Sequence, residues 1–262
     1  MKKILITNDD GYDSAGIIAL TKALVPLGDI TVVAPSLEKS ACGHSLTLTK
    51  PLRFIEVNKN SYKLDDGTPT DCVFLSLNKF FTNENRPDIV ISGINKGANM
   101  GEDITYSGTA SASMEAVLQG IPSIAISQVC ADNCENIDSL KYKLASVTIY
   151  NIVKKIFSNQ FPLPPRKFLN INIPPIEPDK SKGIKITKVG KRLYKSSAEV
   201  HYNPRGLEYY WIGLPALDWY PVENLSDIMT DFEAVSQNFV SITPIHLDMT
   251  SYDDIENLKN WI

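Results

Sequence analysis

Residues 4 to 13 read Ile-Leu-Ile-Thr-Asn-Asp-Asp-Gly-Tyr-Asp, an apolar run ending on two adjacent carboxylates, Asp9 and Asp10, with a glycine behind them. Neighbouring carboxylates raise each other's pKa, whereas a divalent cation removes that penalty and takes both as ligands. The pair therefore points to metal-dependent chemistry. A plain hairpin would also account for Asp10-Gly11, a favoured two-residue turn. The residues that follow argue against it. Asp13 and Ser14 can cap a helix in which Ile17, Leu20 and Leu24 recur at helical spacing until Pro26 and Gly28, and Ile30 to Ala34 is the next apolar strand. Such a strand, loop, helix, strand order puts Asp9 and Asp10 beyond the carboxyl end of a strand, where open parallel sheets collect ligands.

Three further segments carry candidate site residues. In Ser92 to Gly101, Asn95 and Asn99 supply neutral amide groups while Gly93, Gly97 and Gly101 let the backbone turn sharply. The polar residues between these glycines exclude a membrane helix-packing repeat, and the dinucleotide fingerprint Gly-x-Gly-x-x-Gly is missing. Ser107, Gly108 and Thr109 open a helix expected to end near Gln119. Helix starts carry free N–H groups and partial positive charge that receive phosphate, although an ordinary Ser or Thr cap is the alternative. In the loop after residue 34, Ser40 could complete an oxygen-rich metal shell, and His44 could hydrogen-bond a phosphate or move a proton. A plain surface loop is the alternative there.

The elements that must position these groups follow a repeating pattern. Asp88 to Ser92 reads as a buried parallel strand, Ile121 to Ser127 as another, and Phe168 to Ile173 as a third. Leu140 to Phe157 reads as an amphipathic helix with Leu140, Leu144, Val147, Ile152, Val153 and Ile156 as core positions. Prolines 174, 175 and 178 mark a change of style, after which Tyr209 to Ile212 and Phe239 to Ile242 look like strands of an extension or a returning edge. The expected fold is α/β, a Rossmann-like and mostly parallel sheet with helices on both faces over residues 1–175. An accessory β-hairpin and helix region over 176–262 is expected to pack on it.

With 43% hydrophobic and 21% charged residues among 262, the composition is that of a globular chain able to bury a full core. A net charge of -4 offers no general attraction to nucleic-acid polymers or anionic membranes, so any phosphate must be met locally. No stretch approaches the roughly twenty apolar residues that span a bilayer. The basic and apolar start at Met1 to Ile6 is cut short by Asn8 to Asp10, which argues against a signal peptide and for the cytoplasm. Cys42, Cys72, Cys130 and Cys134 are too sparse for a secreted framework, and free thiols are expected rather than a zinc site.

The segments ILITNDDGYDSAGI, DGTPTDCV, DIVISGINKGANMG, YSGTASASMEA, PRGLEYYWIG and TDFEAVSQNFVSITPI resemble the SurE family of stationary-phase survival proteins, which act as nucleoside monophosphate phosphatases. These blocks run in family order from residue 4 to about 245. The resemblance implies a Rossmann-like amino-terminal domain and a carboxy-terminal region for homodimer or homotetramer formation. It implies one divalent ion per subunit held by Asp9, Asp10, Ser40 and Asn95, with phosphate at Ser107, Gly108 and Thr109 and with Asn99 lining the pocket. Two departures, Asn238 where the family often has glycine and Asn203 where an acidic residue is frequent, lie outside this metal set.

An ion held by Asp9, Asp10, Ser40 and Asn95 would keep only two formal negative charges around it and stay electrophilic toward a phosphate oxygen. Four hard oxygen ligands suit magnesium or manganese better than zinc. Two rivals share some of these features. A haloacid dehalogenase type of enzyme also puts aspartates after its first strand, but spaced Asp-x-Asp, whereas here they are adjacent. A nucleotide-sensing module would keep pocket and metal without turnover.

Overall fold

The computed structural model describes residues 1–82, 84–130, 142–193, 198–212, 218–220 and 227–262. Strand β1 (Lys3–Thr7) alternates its side chains across the sheet, and Ile4, Leu5 and Ile6 are all fully buried, so both faces must be covered. Its loop is short because α1 (Ala15–Leu24) starts early. The Ser14 hydroxyl accepts from the Ile17 N–H, and the chain passes through a 3₁₀ turn over Val25–Leu27 into β2 (Asp29–Pro35).

Between β2 and the next expected strand lie β3 (Arg53–Asn58), β4 (Ser61–Asp65) and α2 (Pro69–Lys79), which the apolar pattern did not announce. A capping box fixes the start of α2: Thr68 accepts from the Asp71 N–H, and Asp71 accepts from the Thr68 N–H at 2.9 Å. There follow β5 (Ile89–Lys96), α3 (Gly108–Leu118), β6 (Ser123–Gln128), α4 (Lys143–Ser158) and β7 (Lys167–Ile173). Then come β8 (Ile184–Ile186), β9 (Lys191–Arg192), β10 (Ala198–Tyr202), β11 (Glu208–Ile212) and β12 (Trp219–Tyr220). The last elements are α5 (Asp231–Ser236), β13 (Val240–His246) and α6 (Ile255–Trp261).

Nine strands form one sheet in the order β3-β4-β2-β1-β5-β6-β7-β13-β8, in which the β3/β4 and β7/β13 pairs are antiparallel and the others parallel. Two strands from beyond residue 175 therefore extend the central sheet. On one face Ile4 and Ile6 pack with Ile17, Leu20 and Leu24 of α1 and with Ala145, Ile149 and Val153 of α4. On the other, Leu5 packs with Val73 and Leu77 of α2 and with Ala112 and Ala116 of α3. The α/β class, the mostly parallel sheet and the carboxy-terminal hairpin and helix thus agree with the sequence reading. Truncating a fully buried residue such as Ile6 to alanine would cost about 2 to 5 kcal/mol.

Some expectations change. Val147 is 52% exposed, because the inward stripe of α4 runs through Leu144, Ala145, Thr148, Ile149 and Val153 instead; Ile152 and Ile156 are only partly buried. Leu140 lies outside the described residues. The glycine segment after Ser92 is strand, not loop, as far as Lys96, with a register shift between Ser92 and Asn95 that lets β5 stay paired with β6. Cys42 and Cys72 are free, but Cys130 is disulfide-bonded, which overturns the expected free thiol there; Cys134 lies outside the described residues.

Candidate active site

The parallel order places the carboxyl ends of β1 and β5 side by side, Thr7 opposite Ser92, so the residues just beyond both strands converge. The Asn8 amide holds the β1 turn by donating to the Gly11 carbonyl at 2.9 Å and to the Ser14 hydroxyl at 2.7 Å. One side chain thus ties the loop to the cap of α1. Asp9 is 4% exposed and accepts a hydrogen bond from the Thr109 hydroxyl of α3. Asp10 accepts from the Lys96 N–H of β5 at 3.0 Å. The two carboxylates are therefore held by two different elements, α3 and β5, each reaching them from far along the chain.

Burial pushes the Asp9 carboxyl above its usual range, against the Thr109 hydroxyl and nearby backbone N–H groups that favour its ionised form. Asp10 is pushed up to about 7, first by burial and then by the charge of Asp9. Lys96 partly opposes this through its N–H and its charge. A buried and a partly buried carboxylate held side by side, with their ionised forms destabilised, are a receptor for positive charge.

Helix α3 comes in at van der Waals contact. A Cβ on Gly108 would lie 2.8 Å from the Asp9 Cβ and 3.0 Å from the Cys42 sulfur, so only glycine lets the helix start approach this closely. Ser107 caps α3 by accepting from the Ala110 N–H at 3.0 Å. Gly108 and Thr109 thus stand against Asp9, with the Thr109 hydroxyl directed at its carboxylate and Ser107 just before them at the helix cap.

Asn95 is 8% exposed, and its amide nitrogen donates to the Gly97 carbonyl at 3.0 Å, which leaves its Oδ1 as the end available to a cation. Ser40 is exposed and donates to Glu38 at 2.7 Å. Its loop is nonetheless anchored to the pair, because the neighbouring Lys39 N–H donates to the Asp9 carbonyl at 2.7 Å. His44 does not join the carboxylates: its Nε2 lies 3.1 Å from Glu115, a 5% exposed residue further along α3.

Asn99 is the centre of a buried polar network. Its N–H donates to the Asn172 side chain at 2.9 Å and its amide to Ser127 at 2.8 Å, while its carbonyl accepts from Asn170 and Asn172. These bonds fix the loop after β5 to the ends of β6 and β7. Asp231 does similar work one layer out, accepting from the Gly101 and Gly190 N–H groups, each at 2.9 Å. Sequence reasoning passed over Asp231, Glu115, Asn170 and Asn172. The Thr230-x-x-Glu233 capping box was a readable signal for the first, whereas the others sit in apolar runs with no pattern that marks them.

Among the described residues no group of three or more His, Cys, Asp or Glu gathers around one point. The set at the sheet edge has two carboxylates and neutral oxygens, so it does not depend on such a group. Concavity alone would point elsewhere: a cavity of about 380 Å³ lies at the opposite end of the sheet, lined by Lys2, Asp88, Phe157 and Arg166 among others.

Comparison with known proteins identifies the family. The family model described as survival protein SurE matches residues 4–196. The 5'-nucleotidase SurE of Sulfurovum sp. (strain NBC37-1) is 64% identical over 261 residues, covering 100% of this chain and 98% of that protein. The 5'-nucleotidase SurE of Helicobacter hepaticus (strain ATCC 51449 / 3B1) is 55% identical over 267 residues, covering 100% and 99%. The crystal structure of the SurE protein from Aquifex aeolicus matches with a TM-score of 0.82 at 42% identity, over 99% of each chain. Sequence and fold thus agree that the chain belongs to the SurE survival protein family.

Proposed function

We propose that this protein is a divalent-metal-dependent phosphatase that hydrolyses nucleoside monophosphates to nucleoside and inorganic phosphate. The observation that carries the reading is the Asp9–Asp10 pair at the carboxyl end of β1, with Asp9 buried against the start of α3 and Asp10 partly buried and held by β5. The names of its relatives in Sulfurovum and Helicobacter support the substrate class. The donor set fits a hard cation: Asp9, Asp10 and the Asn95 Oδ1 would hold it, with Ser40 reaching in from the loop tied to Asp9. Magnesium or manganese, one ion per subunit, would supply a Lewis acid for the phosphoryl oxygen and a more acidic bound water.

The chain's own residues do the rest. The start of α3, at Ser107, Gly108 and Thr109, would turn the positive end of the helix toward the phosphate oxygens, beside the Gly108 and Thr109 N–H groups that favour ionised Asp9. Thr109 and the Lys96 N–H keep Asp9 and Asp10 from rotating away. Asn99 holds the floor of the site through the strands beneath it. His44, fixed on Glu115, stands beside the same helix as a candidate contact to the substrate.

A panel of nucleoside monophosphates, each assayed for released phosphate with magnesium, with manganese and with a chelator, tests the reading. Chelator-sensitive phosphate release is expected. Nucleotide binding without release would leave a sensing module, and a trapped phosphoaspartate would favour the haloacid dehalogenase rival.

The same proposal includes self-association. The β10–β11 hairpin exposes Val200, Tyr202, Tyr209, Tyr210, Trp211 and Ile212, an apolar surface suited to a second copy of the chain. Light scattering at micromolar concentration should show a dimer or tetramer, and a monomer would remove the idea. No described helix is long and apolar enough to cross a membrane. The proposed home is the cytoplasm, against which the disulfide at Cys130 is the one contrary observation.

A further inference from the structure

Resting on the phosphatase reading, we infer that Lys96 is a substrate-binding residue whose ammonium grips the phosphate from the side of the carboxylate pair opposite α3. The pair is flanked on two sides. The start of α3 presses against Asp9, where the Gly108 contact and the Thr109 hydroxyl lie. The Lys96 backbone holds Asp10 from the other side, at 3.0 Å. A monoester seated over Asp9 and Asp10 would thus meet the positive end of the helix along one edge and the Lys96 side chain along the other.

The position of Lys96 favours this role over that of an ordinary surface charge. It directly follows Asn95 at the end of β5, with Asn95 opposite Ser127 and Lys96 opposite Gln128 on β6. The next residue is also fixed, since the Gly97 N–H donates to the Gln128 carbonyl at 3.0 Å. The backbone is rigid on both sides while the side chain is exposed. Its charge reaches Asp10 and favours the ionised form there.

Other lysines on this rim are already neutralised: Lys39 pairs with Asp66 at 3.0 Å, and Lys50 pairs with the same carboxylate. Among the described residues no carboxylate lies within ion-pair distance of the Lys96 ammonium. A cation with a fixed root, a free head and an anion-binding helix start facing it across two aspartates is built to complete a phosphate clamp.

The test compares wild type with Lys96→Gln and Lys96→Arg, using adenosine 5'-monophosphate as substrate, inorganic phosphate as competitive inhibitor and manganese as the metal. In Lys96→Gln, KM and the phosphate inhibition constant should both rise on the order of tenfold, as for loss of one charge-assisted hydrogen bond. The manganese concentration for half-activation should stay level or fall, because a positive charge has left the neighbourhood of the cation. Lys96→Arg should recover KM to within roughly threefold.

An unchanged KM in Lys96→Gln overturns the inference. So does a rise in manganese requirement alongside KM, which would mean that Lys96 acts only through Asp10. If wild type releases no phosphate from any nucleoside monophosphate, it is the phosphatase reading that falls. Calorimetric binding of inorganic phosphate to wild type and Lys96→Gln with manganese then decides the clamp separately, and equal affinities would end it.

Discussion

The two ends of the central sheet treat the same side chain in opposite ways. At the amino end, Asp88 accepts from the Lys2 ammonium at 2.7 Å and from the Lys3 N–H at 2.8 Å, and these partners overcome burial to hold its carboxyl below the usual range. At the carboxyl end, Asp9 and Asp10 are more deeply buried, and their carboxyls are raised. Asp88 is satisfied within the chain. The Asp9–Asp10 pair is fixed in place by hydroxyl and N–H donors but, among the described residues, lacks an ion-pair partner, an arrangement that costs stability and leaves the attraction for an incoming cation intact.

The contrast can be broken most severely at Asp9. Asp9→Asn should lower turnover by at least on the order of a hundredfold and raise the manganese requirement. Circular dichroism should match wild type and the thermal midpoint in chelator should stay level or rise, because the change removes a burden rather than a support. Wild-type turnover at saturating metal would sink the assignment.

A second test uses pH. Asp10 binds its proton more tightly folded, with a pKa of about 7, than unfolded, at 3.8. Its contribution to stability is therefore fully present below about pH 4 and is lost as pH rises through 7. In chelator, the urea midpoint should fall across that window, and Asp10→Asn should flatten the fall. Saturating manganese should protect more at pH 8 than at pH 5, since binding displaces the proton. A wild-type midpoint that does not change between pH 4 and 7 in chelator would contradict the raised carboxyl.

The smallest effect belongs to the amino end. Asp88 has a depressed pKa, so its contribution is present above the unfolded value and disappears as pH falls through the folded one. Asp88→Ala should cost about 0.5 to 1 kcal/mol at pH 7, the scale of a partly exposed ion pair, with kcat and KM unchanged. A loss of activity there would mean that the two ends are coupled.

Much of this architecture could be read in advance, for reasons that particular elements make plain. β1, β2, β5 and β6 are buried on both faces, so they appear as unbroken apolar runs, and α1 carries both its spacing and its Ser14 cap in the sequence. β3 and β4 escaped because their edge of the sheet is largely exposed and their sequences are mixed. Val147 was misplaced because the stripe on α4 is shifted by the helices it meets, which periodicity alone does not reveal.

The site divides in the same way. An apolar strand, two carboxylates in tandem, a glycine-punctuated segment and a hydroxyl-rich helix start are local facts, and the sequence by itself determined them and the order in which they come. Which atoms meet was left to the tertiary structure. The Thr109 hydroxyl reaches Asp9 across 100 residues and His44 reaches Glu115 across 71, while the Lys96 N–H finds Asp10 across 86. Such pairings leave no period in the chain, because they arise only when β5 and α3 are laid beside β1 by the packing of the whole sheet.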